Sequence, residues 1–198
     1  ITAVSVPVAA RVVKSLEKPG TNVSGTSDFV SVDKGLELLK IFAPKAKTIG
    51  VMYNTSEVNS KVQVDALKEY ASKNGFKVVE KGITTSNEVN QGISSLVGKI
   101  DVLYVPTDNL VASSMPIVSK IATENKIPVI AAESGPVEKG ALACQGINYE
   151  KLGYKTGEMA VKILNGESVS DMPVATSDDT DIIVNEDILK ALGMEKPS

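Results

Sequence analysis

One pattern constrains this chain more than any other. Short apolar, β-branched runs alternate with stretches of helical spacing from end to end. Strand runs read at 48–53, 76–80, 102–105, 127–132 and 140–147, with shorter ones at 1–5, 172–174 and 181–184. Helical spacing reads at 8–16, 33–42, 62–73, 87–97, 151–164 and 186–192. Pro19-Gly20, Pro44, Gly75, Asn165-Gly166 and Gly193 supply the stops. Such alternation predicts an α/β fold on a parallel, doubly wound sheet. Pro116 falls inside the helix expected after residue 109. It belongs either to a first turn capped by Ser113 or Ser114, or to a kink in a helix that starts earlier.

In open sheets of this kind, ligands bind outside the carboxyl ends of the strands. Three polar loops stand there: 54–60, 107–109 and 133–135. They offer Asn54, Ser56, Asn59 and Ser60, then Thr107, Asp108 and Asn109, then Glu133 and Ser134. The first two lead into helices, whose opening N–H groups lack partners and attract anions. A ligand carboxylate suits the start of the Val62 helix, helped by Ser56, Asn59 or Ser60. A ligand ammonium suits Asp108 or Glu133. Each residue also has a plain structural reading: helix capping for Asp108, Asn109 and the first loop, solvation for Glu133. The convergence of three loops on one edge points to a small polar or zwitterionic ligand more strongly than any one residue does.

Composition removes several function classes. The chain of 198 residues is 42% hydrophobic and carries a net charge of −3 with no long basic run, which argues against nucleic acid. It has no histidine and one cysteine, Cys144, so there is no Ser-His or Cys-His nucleophile, no zinc set and no disulfide. Cys144 sits in an apolar run and reads as a small buried hydrophobe. Asp178, Asp179 and Asp181 form an acidic cluster without calcium-loop spacing, which reads as a solvated turn. No phosphate-binding glycine motif and no apolar run of membrane-spanning length occurs. No cofactor is expected. The abrupt start at Ile1 reads as the C-terminal portion of a longer protein.

Five stretches carry a family resemblance. They are Val12-Val-Lys-Ser-Leu-Glu-Lys-Pro-Gly-Thr-Asn-Val-Ser-Gly25, Ile49-Gly-Val-Met-Tyr-Asn54, Tyr104-Val-Pro-Thr-Asp-Asn109, Ala132-Glu-Ser-Gly135 and Gly153-Tyr-Lys-Thr-Gly-Glu-Met-Ala160. The chain resembles, over its whole length, the ABC-transporter substrate-binding proteins of type I periplasmic-binding fold, in their tryptophan/tyrosine-binding, TrpX-like group. The resemblance implies two α/β lobes with the ligand between them. Lobe one would end at 1–20 and return at 147–170; lobe two would hold 21–146 and most of 171–198. The crossings would fall near 22–26, 146–149 and 169–182.

The resemblance further implies that Asp108 and Glu133 hold a ligand ammonium and that Asn54, Ser56, Thr107 and Asn109 finish the polar lining. Where the family has Thr-Asp-Pro after the first strand, this chain has Ser5-Val6-Pro7, leaving Ser5 as the lobe-one hydroxyl. It implies a non-enzymatic, extracytoplasmic receptor, periplasmic or lipoprotein-anchored, that docks on an ABC permease and captures an aromatic or other apolar amino acid. Two alternatives use the same loops: a ligand-sensing domain of a regulator, or a small-molecule enzyme working through Asp108 or Glu133 with Ser134. With most of lobe one absent, apolar faces at 8–16 and 151–164 are expected to lack cover, so the chain should bind weakly, dimerise or swap elements.

Overall fold

The computed structural model describes residues 1–177 and 179–195. These form two compact units: Ile1–Val30 with Ile147–Asp181, and Ser31–Gly146 with the residues from Ile182 onward. The first division falls after Val30, later than residue 20. Residues 24–28 bond within unit one: Thr26 bridges Ala175, and the Ser24 hydroxyl donates to the Met172 carbonyl at 2.7 Å.

Unit two is a doubly wound sheet. In chain order come α1 (Val32–Phe42), β1 (Thr48–Asn54), α2 (Val58–Lys73), β2 (Lys77–Ile83), a 3-10 turn at Ser86–Glu88, α3 (Val89–Leu96), β3 (Val102–Val105), α4 (Asn109–Ser113), α5 (Met115–Glu124), β4 (Val129–Ala131), α6 (Ser134–Glu138) and β5 (Ala143–Ile147). The chain then passes through α7 (Tyr149–Leu164) and returns with β6 (Thr180–Val184) and α8 (Glu186–Leu192). The strand order is β2-β1-β3-β4-β5-β6, with parallel pairing from β2 through β5. Chain direction across the sheet reverses at β1, so β1 and β3 flank the switch point, where such sheets open a crevice.

Two cores follow from strand alternation. Val102 and Tyr104 of β3 point to one face, among Leu36 and Leu39 of α1 and Val64 and Leu67 of α2. Leu103 and Val105 point to the other, among Ile93 of α3 and Met115 and Val118 of α5. All four β3 residues are buried, as a central parallel strand requires. Helix α1 approaches Tyr104 closely because Gly35 has no side chain. A methyl group there would lie 2.9 Å from the Tyr104 ring, which is 1% exposed and has no room to move. Gly35→Ala is therefore expected to destabilise unit two by about 1–3 kcal/mol, read as a lower urea midpoint at unchanged slope.

Several expected elements differ. Residues 8–16 form no helix: Val6 to Val13 make a turn, and Arg11 takes a left-handed φ of 59°. Three valines there are β-branched, which weakens helix propensity. Residues 1–5 form no strand. They lie beside Thr26 through the Val4 N–H to Thr26 carbonyl bond, and Ala3 at φ 51° breaks the extended run. Residues 172–174 likewise form no strand, and the neighbouring Ala175 makes only an isolated bridge. Helix α2 begins at Val58 rather than Val62. The helix after residue 109 does start early but breaks at Ser114, and Pro116 sits in the first turn of α5, so both expectations for Pro116 are partly met.

In unit one, α7 buries Leu152 and Met159, while Tyr154 and Leu164 are 75% and 85% exposed. Val8 is also exposed. Among the described residues no helix is long and apolar enough to cross a membrane.

Candidate functional site

The ends of β1 and β3 lie side by side, and their loops are welded by two carboxylates. Asp108 is the N-cap of α4. Its Oδ1 accepts from the Val111 N–H at 2.9 Å. Its Oδ2 accepts from the Asn54 N–H at 2.6 Å and from the Ser60 hydroxyl at 2.7 Å. The residue is 1% exposed. Burial pushes its carboxyl above the usual carboxylate range, and the three donors pull it only partly back. Asp108 thus caps α4 and ties that cap to the end of β1 and the first turn of α2.

Glu57 is the second weld. Its Oε1 accepts from the Asn54 side-chain amide at 3.1 Å and the Leu110 N–H at 3.3 Å. Its Oε2 accepts from the Asn109 amide at 2.8 Å, the Asn109 N–H at 3.1 Å and the Asn59 amide at 3.3 Å. Burial raises this carboxyl, but the Asn109, Asn54 and Asn59 donors outweigh it and hold it below its ordinary value. Together Glu57 and Asp108 occupy the opening N–H groups of Asn109, Leu110 and Val111, so the start of α4 has no room for a ligand anion.

Gln63 completes the arrangement. Its amide donates to the Thr107 hydroxyl at 3.0 Å, and its carbonyl accepts from the Thr107 N–H at 2.9 Å. The Asn59 amide also donates to the Thr107 carbonyl at 2.7 Å. Loops 54–57 and 106–109 and the first turn of α2 are therefore one rigid polar edge carrying Asn54, Asn59, Thr107 and Asn109. Ser56 is exposed beside it, and its N–H donates to the Asn54 side chain at 3.0 Å.

Sequence reasoning missed Glu57 and Gln63. Each lies three positions from Ser60, Glu57 as the N-cap of α2 and Gln63 within it, on the side that meets the loop after β3. A helix start at Val62 hides that spacing; a start at Val58 reveals it. Glu133 and Ser134 are half-buried at the start of α6, after β4. Ser5 lies in unit one, where its carbonyl accepts from the Ser27 hydroxyl at 3.1 Å.

Other side chains take structural places. Cys144 is buried, and burial pushes its thiol up to about 12, the state of a packed rather than reactive cysteine. Asp179 pairs with Lys151 at 2.6 Å, and Asp181 accepts from the Asn148 amide at 3.4 Å. Asp178 of the same cluster lies outside the described residues. Among the described residues no group of three His, Cys, Asp or Glu could hold a metal ion.

Comparison with known proteins agrees with this architecture. The family model "ABC transporter substrate binding protein" matches residues 1–198. A tyrosine-binding protein of Clostridioides difficile is 71% identical over all of this chain, which covers 57% of its length. The ligand-free, open structure of a Clostridium difficile substrate-binding protein with adhesive properties is 98% identical, at a TM-score of 0.82 over 100% of this chain and 67% of that one. A Streptococcus pneumonia ABC domain in complex with L-Trp is 37% identical, at a TM-score of 0.91 over 97% of this chain and 65% of that one. This chain therefore spans between about half and two thirds of these relatives. With an α/β sheet of this order and a family match along its whole length, the chain belongs to the ABC transporter substrate-binding proteins of type I periplasmic-binding fold.

Proposed function

We propose that this chain is the ligand-capturing part of an extracytoplasmic solute receptor, and that its ligand is an aromatic amino acid. The observation that carries the proposal is the rigid polar edge at the β1/β3 switch point. There Glu57, Asp108 and Gln63 hold the Asn54, Asn59, Thr107 and Asn109 groups in fixed positions. Fixed donors and acceptors lower the ordering cost of binding. The ligand class comes from the relatives, one a tyrosine-binding protein and one a complex with L-Trp.

A ligand carboxylate is proposed to face the start of α2 beside Ser56. The first intrahelical bond there is the Lys61 N–H to the Glu57 carbonyl, at 3.2 Å. The opening N–H groups of Val58, Asn59 and Ser60 thus precede the ladder. At the start of α4, by contrast, Glu57 and Asp108 have already taken that place. No bond is made or broken in this role, so no catalytic base is called for. The ligated form would dock on an ABC permease, as its family implies. Capture then works as a population shift, worth only the ligand's preference for the ligated conformation.

The test is a thermal-shift screen of the full-length protein against the twenty amino acids, several nucleosides and several sugars. A rise in midpoint with Tyr, Trp or Phe is the expected result, because a ligand that binds only the folded state stabilises it by mass action. A rise only with a nucleoside or sugar discards the amino-acid reading. The 198-residue chain alone is expected to self-associate through its exposed Tyr154 and Leu164 faces or to bind weakly. A clean monomer by light scattering that binds ligand at about micromolar Kd or better refutes that expectation.

A further inference from the structure

The hydrogen-bond polarity of the edge in unit two is fixed, and it singles out one hydroxyl. Gln63, in the second turn of α2, is 1% exposed. Its side-chain carbonyl accepts from the Thr107 N–H at 2.9 Å, and its amide donates to the Thr107 hydroxyl at 3.0 Å. An amide turned the other way would set its NH2 group against the Thr107 N–H, donor against donor. The backbone N–H therefore decides the orientation. The Thr107 hydroxyl is left as the acceptor in its bond with Gln63, and its own proton has to go elsewhere.

Among the described residues the Thr107 hydroxyl bonds to Gln63 alone, so no protein group takes that proton. Neighbouring donors are already committed. The Ser60 hydroxyl donates to Asp108 at 2.7 Å, and the Asn59 amide donates to Glu57 at 3.3 Å and to the Thr107 carbonyl at 2.7 Å. Thr107 itself is half-buried and lies against the first two turns of α2. A hydroxyl that already accepts, with its proton unclaimed, is poised to donate to an acceptor that comes from outside the chain.

We propose that the Thr107 hydroxyl donates to the carboxylate of the amino-acid ligand, and that Gln63 is the positioning residue that commits it to donating. This rests on the reading above, in which a ligand carboxylate faces the start of α2. An ionised carboxylate only accepts, so it matches a hydroxyl turned to donate, and hydrogen bonds to a charged acceptor are the stronger kind. Without Gln63 the hydroxyl is free to rotate, and its orientation has to be paid for on binding.

The experiment is calorimetric titration of the full-length protein with L-tyrosine and with tyramine, which lacks the carboxylate. Thr107→Val keeps the backbone bond to Gln63 and removes the hydroxyl. It should weaken L-tyrosine by about 10- to 100-fold, the scale of one hydrogen bond to a charged group, and tyramine by no more than about 2-fold. Thr107→Ser restores the hydroxyl and should stay within about 3-fold of the wild type. Gln63→Met should weaken L-tyrosine by about 3- to 30-fold in the wild-type background but by less than about 2-fold in Thr107→Val, because its effect passes through the hydroxyl.

An equal cost of Gln63→Met in both backgrounds would mean that Gln63 only holds the loop through the Thr107 N–H, and would overturn the proposal. So would equal weakening of both ligands in Thr107→Val, or an L-tyrosine affinity that Thr107→Val leaves unchanged. Should Gln63→Met fail to fold, Gln63→Glu decides. Its carboxylate keeps the bond to the Thr107 N–H but takes the hydroxyl proton, so it should weaken L-tyrosine at least as much as Thr107→Val does; unchanged affinity overturns the proposal. A wild type that binds no amino acid defeats the earlier reading itself, a result distinct from a wild type that binds L-tyrosine and a Thr107→Val variant that binds it equally well.

Discussion

Asp108→Ala is expected to cost unit two about 3–5 kcal/mol, a large share of the roughly 5–15 kcal/mol that holds a typical domain. The substitution removes three accepted hydrogen bonds at once. The Asn54 and Val111 N–H groups and the Ser60 hydroxyl are left in an interior where the residue itself was 1% exposed. Asp108→Asn should cost less, about 1–3 kcal/mol, because one oxygen survives while the new amide faces donors it cannot accept from. The pair also carries a pH signature. Burial raises the folded carboxyl above its unfolded value of roughly 3.9. A raised group contributes fully below the unfolded pKa and loses that contribution as pH climbs through the folded one. The stability gap between wild type and Asp108→Asn should therefore shrink as pH rises upward from about 4. Urea midpoints of both proteins across that range check it; a gap that widens instead would contradict the buried-carboxyl account.

Glu57→Ala should damage binding more than folding. The carboxylate holds three side-chain amides, those of Asn54, Asn59 and Asn109. Once released, each has to be ordered again by the ligand, at about 0.5–1.5 kcal/mol apiece. Three of them amount to a fall in affinity of about 10- to 2,000-fold. Stability should drop by only about 1–3 kcal/mol, since the released amides reach water. Here the pH signature has the opposite sign. The folded carboxyl lies below its unfolded value of about 4.3, so its contribution is present above that pH and lost as pH falls through the folded pKa. Titration of the alanine variant with tyrosine, beside its urea curve, separates the two effects. Unchanged affinity in a folded variant would remove Glu57 from the account of the edge.

Much of unit two was legible because its strands are short, apolar and bounded by turn residues. β3 and α8 fall where the spacing placed them, at Val102–Val105 and Glu186–Leu192. Residues 1–16 misled for a physical reason. Val8, Val12, Val13 and Leu16 have helical spacing, but periodicity reports a face only if something covers it, and Val8 is exposed. The polar edge was legible as a place and not as a division of labour. In the sequence Asp108 reads equally as ligand and as cap, and the way its cap reaches Asn54 and Ser60 has no counterpart in spacing. Glu57 looks like one more loop acid until α2 is found to begin at Val58, which turns its carboxylate across the gap toward Asn109.

The strand order carries a consequence for how the protein is made. Sheet positions β1 to β5 leave the ribosome in one run, but β6 and α8 follow only after the chain has passed through α7 and the segment up to residue 179 in unit one. Until they arrive, β5 is a bare edge able to template pairing with another nascent chain. β6 itself is mostly exposed, so its side chains supply little of the closure. The seal comes instead from the Asn185 N–H to the Leu142 carbonyl at 2.8 Å, the Asn185 amide to the Val137 carbonyl at 3.0 Å, and buried Leu189. Synthesis halted before Thr180 thus releases an open-edged, self-adhesive intermediate, and the last helix serves as the closing stitch of a sheet begun more than a hundred residues earlier.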